Sequence, residues 1–187
     1  MRVKIYIEGG GPGQAQDAVF RQGWSQFFRQ WNLARQPAVV RGQSREKTWD
    51  LFQQAVRSKS ADELPLLLVD SDATVATGLT SWQHLAKRGW RQPEGADADD
   101  AFLMICTMET WILAGWRDQS DVTQWPDFEA VPERRISEVL KRVSAEQYQK
   151  GPRSFEFLGQ IDAVQVSEKC RSAKSLRARL QGLMGRR

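Results

Sequence analysis

The amino-acid order predicts an α/β fold: a mainly parallel sheet flanked by helices, with a helical C-terminal extension. Three observations predict it. Short apolar runs alternate with segments whose large residues recur at helical spacing, the alternation that builds parallel sheets. The run Leu64-Pro65-Leu66-Leu67-Leu68-Val69 is apolar throughout, as a strand covered on both faces is. Beyond Asp118 only helical or loop signals remain. The organisation expected is therefore one core domain over residues 1–117 and a basic helical extension over 118–187, packed on the same domain.

Each element follows in order. Val3-Lys4-Ile5-Tyr6-Ile7 is a first strand that breaks at Glu8 into Gly9-Gly10-Gly11-Pro12-Gly13. From Gln14 onward Phe20, Trp24, Phe27, Phe28 and Trp31 form one broad apolar face of a helix. Pro37-Ala38-Val39-Val40-Arg41 is a second short strand, and Trp49, Phe52 and Val56 place a second helix at about residues 45–58. The central strand stops at Asp70-Ser71-Asp72. Residues 101–106 form a further buried strand, and Met108 opens a helix. Residues 136–143 and the series Leu176, Leu180, Leu183 are helical in the extension.

Composition narrows the function classes. At 187 residues and 41% hydrophobic, the chain supports one domain with a substantial core. No apolar stretch approaches the roughly 20 residues of a membrane span, and no charged-then-apolar leader precedes the first strand, so a soluble cytoplasmic protein is expected. Two cysteines and one histidine argue against a disulfide framework or a zinc site. Cys106 reads as a core residue, and His84 as a surface or half-buried helix residue. The net charge of +4 is unevenly spread. Residues 1–59 hold ten Lys/Arg against four Asp/Glu, residues 94–138 three against eleven, and residues 150–187 nine against three. These charges are either solvated faces or basic ends that meet a polyanion while the acidic middle meets a metal or a basic partner.

Ligands of open parallel sheets bind beyond the carboxyl ends of the strands. Here those ends carry Glu8, Asp70 with Asp72, and nearby Glu109. If the backbone stays extended through Ser71, Asp70 and Asp72 point the same way and can share a cation. Mg²⁺ (or Mn²⁺) binds through a few carboxylates and completes its shell with water and phosphate oxygens, so the cluster fits phosphoryl chemistry. The structural alternative is that these acids end strands as turn formers or caps. The glycine loop lacks the Gly-Lys-Ser/Thr ending of a nucleotide P-loop.

Glu8-Gly9 behind the first strand and Val69-Asp70-Ser71-Asp72 behind a later one resemble the Glu and Asp-x-Asp signature of TOPRIM domains. Tyr6-Ile7-Glu8-Gly9-Gly10-Gly11, Leu67-Leu68-Val69-Asp70-Ser71, Met108-Glu109-Thr110-Trp111-Ile112-Leu113-Ala114 and Lys150-Gly151 before Ser154-Phe155 more closely resemble the bacterial "domain of unknown function 4276" group, related to OLD-type and RloB-like TOPRIM nucleases of phage-defence loci. Ala73 and Gly115 depart from that group's pattern, which often carries acids there.

The resemblance implies a TOPRIM-like core with Glu8, Asp70 and Asp72 as metal ligands, Glu109 as an additional site acid and Lys150 as a phosphate contact. It implies a Mg²⁺-dependent endonuclease effector acting on RNA or DNA in anti-phage defence, with an AAA/ABC-type ATPase partner encoded nearby. Arg41, Arg45, Lys47, Arg177 and Arg179 are available for backbone contacts. The alternatives are a non-catalytic subunit that regulates or assembles with an ATPase, and a small-molecule phosphotransferase suggested by Asp70-Ser71-Asp72-Ala73-Thr74. The latter motif follows the third strand, whereas in haloacid-dehalogenase phosphatases it opens the fold.

Overall fold

The computed structural model describes residues 1–9, 14–117, 125–145 and 147–186. Residues 10–13 of the expected glycine loop, and the expected boundary at 118, lie outside the described residues.

The expected alternation is present. Strand β1 (Arg2–Glu8) leads to helix α1 (Gln14–Arg29), β2 (Ala38–Gly42), α2 (Arg45–Ser58), β3 (Glu63–Asp70), α3 (Ser81–Ala86), β4 (Ala101–Met104) and α4 (Met108–Ala114). Among the described residues four more α-helices follow: α5 (Glu133–Val143), α6 (Pro152–Gln160), α7 (Ala163–Lys169) and α8 (Arg171–Met184). The four strands pair in the order β2-β1-β3-β4, and every pair is parallel. This is a Rossmann-like α/β architecture. The fourth strand is shorter than expected: it ends at Met104, because Cys106 takes a left-handed conformation at φ 62° that a strand cannot continue through.

Alternation along the strands fills two cores. Ile5, Ile7, Leu66, Leu68 and Met104 face one side, against Trp24, Phe27 and Trp111 and the helices of the C-terminal third. Tyr6, Leu67, Val69 and Leu103 face the other, against Phe52 of α2 and Trp82 and Leu85 of α3. A sheet buried on both faces explains the uninterrupted apolar run of β3.

Local signals fix the helix starts. Ser44 caps α2, its hydroxyl accepting the Lys47 amide hydrogen. Thr80 and Gln83 form a reciprocal capping box at α3. On the first face α1 crosses α6 at two glycines, where a Cβ on Gly23 would sit 2.1 Å from the Phe155 carbonyl oxygen. His84 is buried rather than on the surface: α3 packs it under the turn after β3, with its Nε2 3.1 Å from the Ser71 carbonyl oxygen.

Candidate functional site

Adjacent parallel strands β1 and β3 end together, so the sheet places Glu8 beside Asp70 at its carboxyl edge. The short link from β4 to α4 adds Glu109 in the first turn of α4. The segment entering α6 adds Lys150. Glu8, Asp70, Glu109 and Lys150 line one cleft of about 140 Å³, walled by Met104, Met108 and Phe155. A larger cavity of about 470 Å³, lined by Gln30, Trp116, Arg117 and the end of α6, has no acid among the described residues of its walls.

Within the cleft the acids differ in what holds them. Glu109 is 3% exposed, and its Oε1 accepts a hydrogen bond of 2.5 Å from the Tyr148 hydroxyl. That hydroxyl also lies 2.9 Å from Ser154 Oγ, which accepts the Gly151 amide. Burial first, then the neighbouring Glu109, push the Tyr148 phenol far above its usual range, so it stays a donor. Glu8 Oε2 accepts from Arg45 Nε at 3.1 Å. Asp70 is different: its Oδ1 is buried with no hydrogen-bond partner among the described residues. Burial, then Glu109, Glu8 and Asp72, drive its carboxyl well above the usual carboxylate range. An unpaired buried acceptor costs on the order of 1–3 kcal/mol, a burden that suits a group reserved for a ligand.

Lys150 donates to Glu133 Oε1 at 3.1 Å at the exposed rim. Partial burial pulls its ammonium pKa down, but Glu109 and Glu133 outweigh that and raise it. It is a fixed positive charge at the cleft mouth.

Asp72 does not line the cleft. The shared direction expected of Asp70 and Asp72 required extended backbone through Ser71, and the chain leaves that geometry. The Ser71 amide still bonds the Met104 carbonyl, but Asp72 is left-handed at φ 56°, its amide donating to Cys106. The side chain meets two arginines. Arg45 forks onto both carboxylate oxygens, with its Nη2 2.7 Å from Oδ1, and Arg88 Nη1 reaches Oδ2 at 2.6 Å. Partial burial raises the Asp72 carboxyl, yet these hydrogen bonds win and hold it at about 2.

Of the other cations named from sequence, the three arginines have structural partners. Arg41 is 4% exposed along its side chain and binds Asp17 and the Gly9 carbonyl. Arg177 donates to Ser167 and Arg179 to Asp100, while Lys47 is exposed. Sequence reasoning missed Tyr148, Arg88 and the roles of Ser154 and His84. No local spacing announces them, since each reaches the site through tertiary packing. Gly115, one of the two departures, has a packing reason: a Cβ there would lie 2.7 Å from the Asp162 carbonyl oxygen.

The donor set suits a hard divalent cation. Three carboxylates face one cleft, one of them with an orphaned oxygen, and no histidine or cysteine is among the described lining residues. Among the described residues no three acids are gathered tightly enough to form a ready cage, because Glu8 is drawn to Arg45 and Glu109 to Tyr148. Among the described residues, too, no helix is long and apolar enough to cross a membrane. Comparison with curated proteins and with solved structures finds no match. A family model does match, over residues 7–181, which takes in all four cleft residues: the chain belongs to the family described as domain of unknown function DUF4276.

Proposed function

We propose that the chain is a divalent-cation-dependent phosphodiester hydrolase of TOPRIM type, acting on RNA or DNA. The observation that carries this reading is the orphaned carboxylate of Asp70, flanked by Glu8 and Glu109 and faced by Lys150. Asp70, Glu8 and Glu109 would hold Mg²⁺ or Mn²⁺. A cation bound there supplies Lewis acidity toward a phosphoryl oxygen and makes ionisation of Asp70 favourable. Tyr148 fixes one oxygen of Glu109 and leaves the other for the cleft. Lys150 places a positive charge where a phosphate oxygen would approach, and the walls of Met104, Met108 and Phe155 limit water on the inner side. The resemblance noted in the sequence extends the proposal to a cytoplasmic anti-phage effector working with an AAA/ABC-type ATPase.

A second reading, a non-catalytic subunit that regulates or assembles with an ATPase, is favoured by one observation. Arg45 neutralises Glu8 and Asp72, two of the three acids of the signature. Incubating purified protein with RNA and with DNA in Mg²⁺ or Mn²⁺ separates the two. Cleavage that requires the cation and disappears in a folded Asp70→Ala variant is the expected result. Undiminished cleavage by Asp70→Ala would sink the assignment, and no cleavage of either polymer, with an ATPase co-purifying, would favour the second reading.

A further inference from the structure

The carboxyl edge carries a second charged assembly directly beside the cleft. Arg45 is the first residue of α2, and the Ser44 cap fixes where its side chain leaves the helix. Its Nε bonds Glu8, the acid that lines the cleft, while both Nη groups bond Asp72, which does not. Asp72 is itself immobilised. Arg88 bonds its carboxylate and also the Ser71 carbonyl at 3.0 Å, and His84 supports the same carbonyl. Ser71 Oγ accepts the Cys106 amide and donates to the Ala73 carbonyl, so the turn is braced from both flanks. Asp72 thus holds the guanidinium fork, and the fork holds Glu8.

A guanidinium and a divalent cation cannot both take the same Glu8 oxygen, and they repel each other across so short a distance. Arg45 already acts on the cleft, since its charge opposes the upward shift of Asp70.

We propose that Arg45 is a built-in competitor for the cation site, positioned by Asp72: it occupies Glu8, and a divalent cation gains Glu8 only as Arg45 lets go. Asp72 is then an anchor for an arginine and not a cation ligand. This rests on the cation reading of the cleft. Competition is reciprocal, so removing the arginine strengthens the cation by the factor that the cation weakens the arginine's contact, about 5- to 150-fold for couplings of ordinary size.

Mn²⁺ affinity measured calorimetrically on the whole chain tests this, with Arg45→Gln, Arg45→Lys, Asp72→Asn and Asp70→Asn compared after thermal melts have established that each folds. Arg45→Gln should bind Mn²⁺ at least about fivefold more tightly than wild type, at the lower end of that coupling range. Arg45→Lys, which keeps a charge but loses the fork, should fall between them. Asp72→Asn should bind at least as tightly as wild type, and Asp70→Asn should not bind. In a Mg²⁺ titration followed by ¹⁵N NMR, the Arg45 Nε–H resonance should shift as the site saturates, a change that a purely structural arginine would not show. An unmoved Arg45 resonance at saturation, an unchanged or weakened Arg45→Gln, or an Asp72→Asn as defective as Asp70→Asn would overturn the competitor while leaving the cation reading standing. No Mn²⁺ binding by wild type and by Arg45→Gln would overturn both.

Discussion

Asp70 carries a cost that its surroundings relieve only in part, through the charge of Arg45. Its Oδ1 is buried without a partner among the described residues, and burial together with Glu109, Glu8 and Asp72 raises its carboxyl pKa above the ordinary value of about 3.9. With the folded pKa raised, the group's contribution to stability is fully present below the unfolded pKa and is lost as pH rises through the folded one. In the presence of a chelator, Asp70→Asn should therefore be more stable than wild type at neutral pH. Its melting temperature should rise by about 2–4 °C for each kcal/mol relieved, and the advantage should shrink as pH is lowered toward 4. Thermal melts at a series of pH values check this. A variant less stable than wild type throughout would mean that Asp70 has a structural partner after all. Stability surrendered at one carboxylate is the pattern of a residue kept for a ligand.

At the scale of elements, the crossing of α1 and α6 sets the inner wall of the cleft. Helix propensity alone favours alanine over glycine inside α1 by roughly 1 kcal/mol. The crossing reverses the sign, because the new Cβ would meet the backbone of Phe155, which cannot rotate away. Gly23→Ala should lose about 1–3 kcal/mol, the usual range for overpacking. Mn²⁺ affinity should fall with it, since Phe155 lines the cleft and the adjacent Ser154 supports Tyr148 and Gly151. A stabilised variant in a denaturant titration would refute the argument.

The same scale shows what the sequence could and could not disclose. Helix α2 was legible to its bounds because Trp49, Phe52 and Val56 repeat on one face, and β3 because both of its faces are covered. Glu8, Asp70 and Glu109 were legible because parallel strands deliver their carboxyl ends to one edge. The orientation of Asp72 was not, because hydrogen bonds to Met104 and Cys106 and the arginines of α2 and the α3 terminus decide it, and all are remote in sequence. For the same reason no spacing in the sequence marks Tyr148 as a partner of Glu109.

For the whole molecule, the question is whether the sheet can stand without the helices that follow it. Phe20 packs on Phe155 with ring centroids 5.0 Å apart, Trp31 donates to the Ala163 carbonyl at 2.8 Å, and Trp111 donates to Ser172 Oγ at 3.1 Å. Val166, Leu176 and Leu180 are fully buried in the same core as Leu66 and Leu68. Charge follows the same plan: Arg171 pairs with Asp127 and Glu129, and Arg179 reaches Asp100, a carboxylate with no exposure, so part of the basic C-terminal third is spent on acids of the middle. A fragment of residues 1–117 would uncover the large aromatic face of α1 and the outer side of α4, leave Asp100 buried without its arginine, and lose Lys150 and Tyr148 from the cleft. Breaking a buried ion pair by removing one partner costs about 3–5 kcal/mol, a large share of the roughly 5–15 kcal/mol that holds a domain together. The fragment is therefore expected to show no cooperative thermal transition and to bind a hydrophobic dye, while the full chain melts in one step. A sharp melt of the fragment near that of the full chain would instead make the sheet and its first helices an autonomous unit, with the later helices serving only to complete the cleft.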